Sequence, residues 1–187
     1  MRQPTGKRPA FPNRVRIIAG VWRSRIIEFP SLSGLRPTPG RVRETLFNWL
    51  GQRLDGQRCL DLFAGSGALG FEAASRGAAE VVMVERDARA LKWLRANAAR
   101  LGAGQVRIVA ADGLDYLAGE CGRFDLILLD PPFDSGLLAP ALARAATRLT
   151  AGGRIYAEFG ARPDLSGWRV LREGHAGLSR YCLLEPA

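Results

Sequence analysis

From residue 58 onward the chain alternates short apolar runs with segments of helical spacing, and that alternation leaves few folds open. Cys59–Phe63 runs into a glycine loop and a helix reaching about Arg76. Val81–Val84 precedes Asp87, which is placed to cap a helix extending to about Leu101. Val106–Ala110 leads to Asp112 and a short helix over Gly113–Leu117, and Phe124–Leu129 to a helix over Leu137–Leu149. Gly152-Gly153 then stops that helix ahead of a fifth strand, Arg154–Phe159. Strands this short and apolar are buried on both faces, and strands separated by helices pair in parallel. The expected fold is therefore α/β, a doubly wound and mostly parallel sheet with helices on both sides. Trp168–Arg172 and Leu178–Leu184, around Gly174–Gly177, predict an antiparallel β-pair at one edge.

The N-terminal third differs in kind. Residues 1–13 contain three prolines and Gly6 and predict a loose basic tail. Arg14–Ile18 and Val21–Phe29 predict a hairpin turning at Ala19-Gly20, and Pro30–Gly40 a turn-rich link. The spacing of Val42, Leu46, Phe47 and Leu50 predicts a helix from Arg41, closed by Gly51. Three units follow: a tail over 1–13, an arm over 14–57 and a larger domain over 58–187. The 187-residue chain carries a net charge of +9. All of it lies in residues 1–58, where 12 of the 27 basic side chains meet only 3 of the 18 acidic ones. Twenty-five of the basic residues are arginine, suited to bidentate phosphate contacts and base stacking. A basic arm on a neutral body predicts nucleic-acid binding, with Arg14, Arg16, Arg23 and Arg25 as candidates.

Other classes are disfavoured. No stretch approaches the roughly 18 apolar residues of a membrane span, and no apolar run follows the N-terminal charges as in a secretory signal. Cys59, Cys121 and Cys182 are odd in number and far apart, and His175 is the only histidine, so neither a disulfide framework nor a metal centre is expected. A cytoplasmic protein is. Trp49 and Trp93 are expected in the core, Trp22 exposed between arginines, His175 solvated and Cys59 buried.

Gly65-Ser-Gly67-Ala-Leu-Gly70 is a GxGxxG between a strand and a helix. Its glycines permit a tight turn, close approach of a ligand to the backbone and close helix packing. Glu85, 20 residues after Gly65, ends the second strand, where an acid accepts hydrogen bonds from a ribose diol; a helix N-terminal charge beside Asp87 is the plainer use. A dinucleotide would set its pyrophosphate at this helix N-terminus. Asp61, just ahead of the glycines, repels phosphate and attracts a cation. S-adenosylmethionine has an ammonium, a sulfonium and no phosphate, so Asp61 favours it over NAD. Asp112, after the third strand, suits both an adenine amine and a helix N-cap.

Asp130-Pro-Pro-Phe133 ends the fourth strand, where ligands of open α/β sheets collect. Two prolines fix the backbone and remove amide donors. The Asp130 carboxylate and Pro131 carbonyl are then acceptors facing one point, matched to the two N–H groups of a planar amine such as guanine N2 or adenine N6. Accepting both hydrogens pushes electron density onto that nitrogen and aims its lone pair at a methyl donor. Phe133 is placed to stack on an extruded base. The structural alternative is a turn in which Asp130 caps the next helix.

Together these motifs resemble class I S-adenosylmethionine-dependent methyltransferases acting on exocyclic amines, whose sheet is Rossmann-like, over residues 58–187. Arg16-Ile-Ile-Ala-Gly-Val-Trp-Arg-Ser-Arg25 and Leu35-Arg-Pro-Thr-Pro-Gly-Arg-Val-Arg-Glu-Thr-Leu-Phe-Asn-Trp-Leu50 extend the resemblance over nearly everything after residue 13. They narrow it to the RsmD family, bacterial methyltransferases of a 16S rRNA guanine N2 at the position conventionally called guanine 966. The resemblance implies that Asp61, Phe63, Ala64, Gly65 and Gly67 line the methionine end of S-adenosylmethionine. Glu85 and Arg86 fall at the ribose, Asp112 and Gly113 at the adenine, and Asp130, Pro131, Pro132 and Phe133 form the target pocket. Arg36, Pro37, Thr38 and Arg41 lie over the cofactor and the mouth, Arg41 and Arg43 reaching RNA. The implied partner is 16S rRNA within the small ribosomal subunit, and the protein is expected to be a monomer. Gly40 departs from the pattern, in which an acidic residue often precedes Arg-Val-Arg. Competing readings are an adenine-N6 methyltransferase on RNA or DNA, a glutamine-N methyltransferase and a non-catalytic RNA-binding assembly factor. An NAD-dependent oxidoreductase is opposed by Asp61 and the Asp-Pro-Pro-Phe turn.

Overall fold

A computed structural model describes residues 12–32 and 35–187. The expected tail falls almost wholly outside them. The chain opens with β1 (Asn13–Arg16) and β2 (Ile26–Phe29), an antiparallel pair in which Arg16 faces Ile26. Then come α1 (Gly40–Trp49), β3 (Arg58–Asp61), α2 (Ala68–Ser75), β4 (Glu80–Glu85), α3 (Ala88–Leu101), β5 (Val106–Ala110), α4 (Gly113–Ala118) and β6 (Phe124–Leu129). α5 (Leu138–Ala146), β7 (Leu149–Phe159), β8 (Trp168–Ala176) and β9 (Ser179–Pro186) complete it.

Strands β3 to β9 form one seven-stranded sheet in the order β5-β4-β3-β6-β7-β9-β8. The five strands from β5 to β7 pair in parallel, and β9 joins β7 and β8 antiparallel, giving the expected doubly wound sheet with an antiparallel edge. The apolar strands are buried because helices cover both faces; Val81 to Val84 and Leu126 to Leu129 are inaccessible or nearly so. α3 shows how local sequence sets an element. Asp87 accepts from the Arg89 and Ala90 amides at its start, Gly102 ends it, and Ala90, Leu91, Leu94 and Leu101 point inward. The chain order reverses between β3 and β6, the switch point at which such sheets leave a crevice at the strands' carboxyl ends.

Several expectations need correction. The second hairpin strand begins at Ile26, not Val21. The Ile17 and Ser24 amides close a turn with the Arg25 and Ile17 carbonyls, and the Val21 amide donates to Ser75 of α2. That docking buries Trp22, which is 8% exposed. Gly152-Gly153 does not stop a helix: α5 ends at Ala146, Leu149 already pairs with Phe124, and the glycines sit at a bulge within β7. The β8–β9 turn is tighter than expected, because Gly174 stays in β8 facing Tyr181.

The arm before residue 58 has no core of its own. Ile17, Trp22, Ile27, Val42, Leu46 and Phe47 share one cluster with Cys59, Phe71 and Met83. At its centre is Glu72, fully buried on α2. It accepts from the Ile18 and Ala19 amides at 2.9 and 3.0 Å and pairs with Arg43 at 2.8 Å and Arg76 at 3.0 Å. Arg43 also donates to the Thr38 and Arg16 carbonyls. This overturns Arg43 as an RNA contact: the side chain is an internal strut, 2% exposed, and burial lowers its pKa from the usual arginine value.

Candidate active site

The carboxyl ends of β3, β4 and β6 bring together Asp61, Glu85 and Asp130. Asp61 pairs in register with both Met83 and Leu128, so it lies between the other two strands. Its carboxylate is buried and accepts one hydrogen bond, from the Gly70 amide at 2.9 Å. Burial pushes the Asp61 carboxyl up to about 7, against that amide, with Asp130 and Glu85 adding repulsion. The glycine loop is shaped by what surrounds it. Gly67 has φ 81°, and a Cβ there would come within 2.7 Å of Leu94 and Phe71; one on Gly70 would come within 2.9 Å of Met83. Only glycine lets α2 start this close to the sheet. Ala64 is buried, its amide on the Val84 carbonyl, and Phe63 packs beside Gly113, joining this loop to the one after β5.

Glu85 is held by three amides. Oε2 accepts from Gly65 at 2.8 Å, and Oε1 from Arg86 and Asp87, each at 2.8 Å. It sits at the start of α3, the plainer of its two expected uses, and Oε2 keeps capacity for another donor. Asp112 is the N-cap of α4 through Oδ1, accepting from Leu114 at 2.8 Å, while its Oδ2 lies 3.5 Å from exposed Arg86.

At the end of β6, Asp130 accepts a 2.9 Å hydrogen bond from the Thr38 hydroxyl. Thr38 is itself buried, so the link between hairpin and α1 folds over this strand end. Leu35 of the same link lies over Gly65. Burial raises the Asp130 pKa above the ordinary aspartate value, the Thr38 bond opposing it. Pro131 is buried, Pro132 exposed, and Phe133, 47% exposed, stands at the lip beside Gly160. The Pro132 carbonyl is taken by Ser135; among the described residues no backbone amide outside the helices and strands donates to that of Pro131.

Sequence reasoning missed Leu35 and a buried acid, Glu158 on β7. The Tyr156 hydroxyl donates to Glu158 at 2.7 Å and the Ser179 hydroxyl at 3.1 Å. A charged residue in Ile155-Tyr-Ala-Glu-Phe159, otherwise read as a buried strand, was the available signal. On the arm, Arg16, Arg23, Arg25, Arg36 and Arg41 are exposed and form no ion pair among the described residues, whereas Arg14 pairs with Glu28 at 3.1 Å.

The donor set fits a cationic nucleoside better than a phosphate. A buried carboxylate with a single amide donor, Asp61, is short of positive charge, and Glu85 and Asp112 flank the same loop as acceptors. Among the described residues no cluster of side chains suits a metal ion, and no helix is long and apolar enough to cross a membrane.

A family model described as conserved hypothetical protein 95 matches residues 15–185. Ribosomal RNA small subunit methyltransferase D of Escherichia coli (strain K12) is 40% identical over 178 residues, covering 92% of this chain and 90% of the relative. Its counterpart in Haemophilus influenzae is 38% identical over 186 residues, covering 95% and 96%. The solved structure of the Escherichia coli protein yhhF superposes with a TM-score of 0.85 at 40% identity, over 93% of this chain and 98% of that one. A precorrin-6y C5,15-methyltransferase from Geobacter metallireducens, 20% identical with a TM-score of 0.65 over 83% and 92%, shares the fold.

Proposed function

Since the chain belongs to the RsmD family of ribosomal RNA small subunit methyltransferases, we propose that it transfers a methyl group from S-adenosylmethionine to the exocyclic N2 of one guanine of 16S rRNA, guanine 966, in the small ribosomal subunit. The observation that carries this reading is the half-buried Asp130 at the switch point, braced by buried Thr38 and adjoining a glycine loop ringed by carboxylates.

The cofactor supplies an electrophilic methyl on sulfonium sulfur. Asp61 attracts the cationic methionine end, and Gly65 and Gly67 allow it to approach the backbone. The free acceptor capacity of Glu85 takes a ribose hydroxyl, and Asp112 Oδ2 the adenine amine. Asp130 and the Pro131 carbonyl accept the two N–H groups of guanine N2. As the N–C bond forms and the C–S bond breaks, the surplus N2 proton passes to Asp130. Phe133 stacks on the flipped base. Arg16, Arg23, Arg25, Arg36 and Arg41 grip phosphates, supplying affinity while RNA shape supplies choice. The protein acts as a monomer in the cytoplasm, with no membrane partner.

Glu85→Ala weakens S-adenosylmethionine binding roughly ten- to a hundredfold, the scale of losing a hydrogen bond to a charged group. Calorimetry checks this, and a dissociation constant within about twofold of wild type would remove Glu85 from the cofactor site. Changing Arg16, Arg23 and Arg41 together to Gln lowers RNA affinity and reduces the slope of log K against log salt by about 2 to 3; an unchanged slope would move the RNA surface elsewhere. The acceptor class is tested by offering labelled S-adenosylmethionine with unmodified small subunits, naked 16S rRNA and duplex DNA in parallel. Label in the subunits or the rRNA supports the reading, and label confined to DNA contradicts it.

A further inference from the structure

Glu158 is an acid to which the chemistry above gives no task. It is 3% exposed and lines a cleft of about 120 Å³ together with Pro131, Phe133 and Gly160. Its carboxyl is braced by hydroxyls and not by a cation among the described residues: Tyr156 and Ser179 each give one oxygen a hydrogen bond, and the Thr38 hydroxyl lies close by. Each oxygen still has room for another donor. Burial, with Asp130 adding repulsion, raises its pKa above the usual glutamate value. A ligand bringing N–H donors into the cleft would stabilise the carboxylate. Asp130 and the Pro131 carbonyl cannot by themselves choose a base, because guanine and adenine both offer a planar amine.

We propose that Glu158 selects guanine by accepting its N1–H, next to the N2 amine held by Asp130 and the Pro131 carbonyl. This rests on the guanine-N2 reading and adds what tells the base apart. Guanine presents N1–H and N2–H as neighbouring parallel donors, which two adjoining carboxylates match. Adenine and 2-aminopurine present a bare N1 lone pair, which an ionised Glu158 repels. A site built around a substrate donor rejects an analogue that lacks it, because its own buried acceptor is left unpaired.

The test uses RNA substrates with guanine, 2-aminopurine or 6-thioguanine at the target position, assayed above the pH at which Glu158 takes up its proton. 2-Aminopurine keeps the methylatable amine and loses N1–H; 6-thioguanine keeps both. The wild-type kcat/KM favours guanine over 2-aminopurine by roughly ten- to a hundredfold, the scale of one well-placed base contact, and 6-thioguanine behaves like guanine. Glu158→Gln can turn an amide N–H toward a bare N1, and brings the guanine to 2-aminopurine ratio to within about threefold of unity. The proposal is overturned if wild type uses 2-aminopurine as well as guanine or rejects 6-thioguanine equally. It also falls if a folded, cofactor-binding Glu158→Gln keeps the wild-type ratio. Should that variant not fold, the three-base comparison with wild type decides alone. Absence of N2-methylguanosine from the guanine substrate would instead overturn the guanine-N2 reading, and this proposal with it.

Discussion

Asp130→Ala lowers methyl transfer by about 10²- to 10³-fold, the range seen when one preorganised polar group of an active site is removed, while S-adenosylmethionine binds nearly as before. Asp130 is an acceptor for the target amine and a sink for its proton, so its loss acts on the reacting nitrogen. The cofactor contacts assigned to Asp61, Glu85 and the glycine loop remain. Single-turnover transfer and calorimetry on the same preparation separate the two effects. Full activity in the variant would refute the mechanism, and lost cofactor binding would move Asp130 to the cofactor side. The half-buried setting of Asp130 adds a pH signature. Its raised pKa means that it carries a proton at pH values where an ordinary aspartate is ionised, and the protonated form accepts poorly. Activity therefore falls as pH drops through a point well above the ordinary aspartate value of about 4.

Glu72→Ala destabilises the protein by about 3 to 5 kcal/mol, the cost of leaving buried charges unpaired. Arg43 and Arg76 both lose their carboxylate partner, and the Ile18 and Ala19 amides lose their acceptor. For a chain of this length that corresponds to a melting point lower by roughly 10 °C. Because Glu72 ties the arm to α2, transfer to RNA falls with it, through an arm no longer fixed over the site. A shift of under about 2 °C in thermal unfolding would show that water satisfies the two guanidinium groups.

The sheet was legible because its strands are buried on both faces, so apolar runs such as Val81–Val84 and Phe124–Leu129 stand out against amphipathic α3. The carboxyl-end acids were legible for a related reason: Asp61, Glu85 and Asp130 each interrupt an apolar pattern where a strand stops. What stayed hidden depends on contacts between distant segments. Arg43 reads as one more cation of a basic arm, and only its meeting with Glu72 turns it into a strut. Val21 and Trp22 have strand-like side chains, yet docking on Ser75 takes the backbone groups that a strand would need. Gly152-Gly153 ends helices in many sequences, whereas here pairing of Leu149 with Phe124 sets the boundary. Thr38 was legible only as part of a motif; its hydrogen bond to Asp130 spans 92 residues.

The most direct test of guanine-N2 methylation is to identify the product. Small subunits lacking the modification are incubated with the protein and S-adenosylmethionine, the rRNA is digested to nucleosides, and the methylated species is assigned by mass spectrometry against standards. N2-methylguanosine, absent when Asp130→Ala replaces wild type, is the predicted result. N6-methyladenosine would keep the fold and the methyl chemistry but contradict the assigned base and the role given to Glu158.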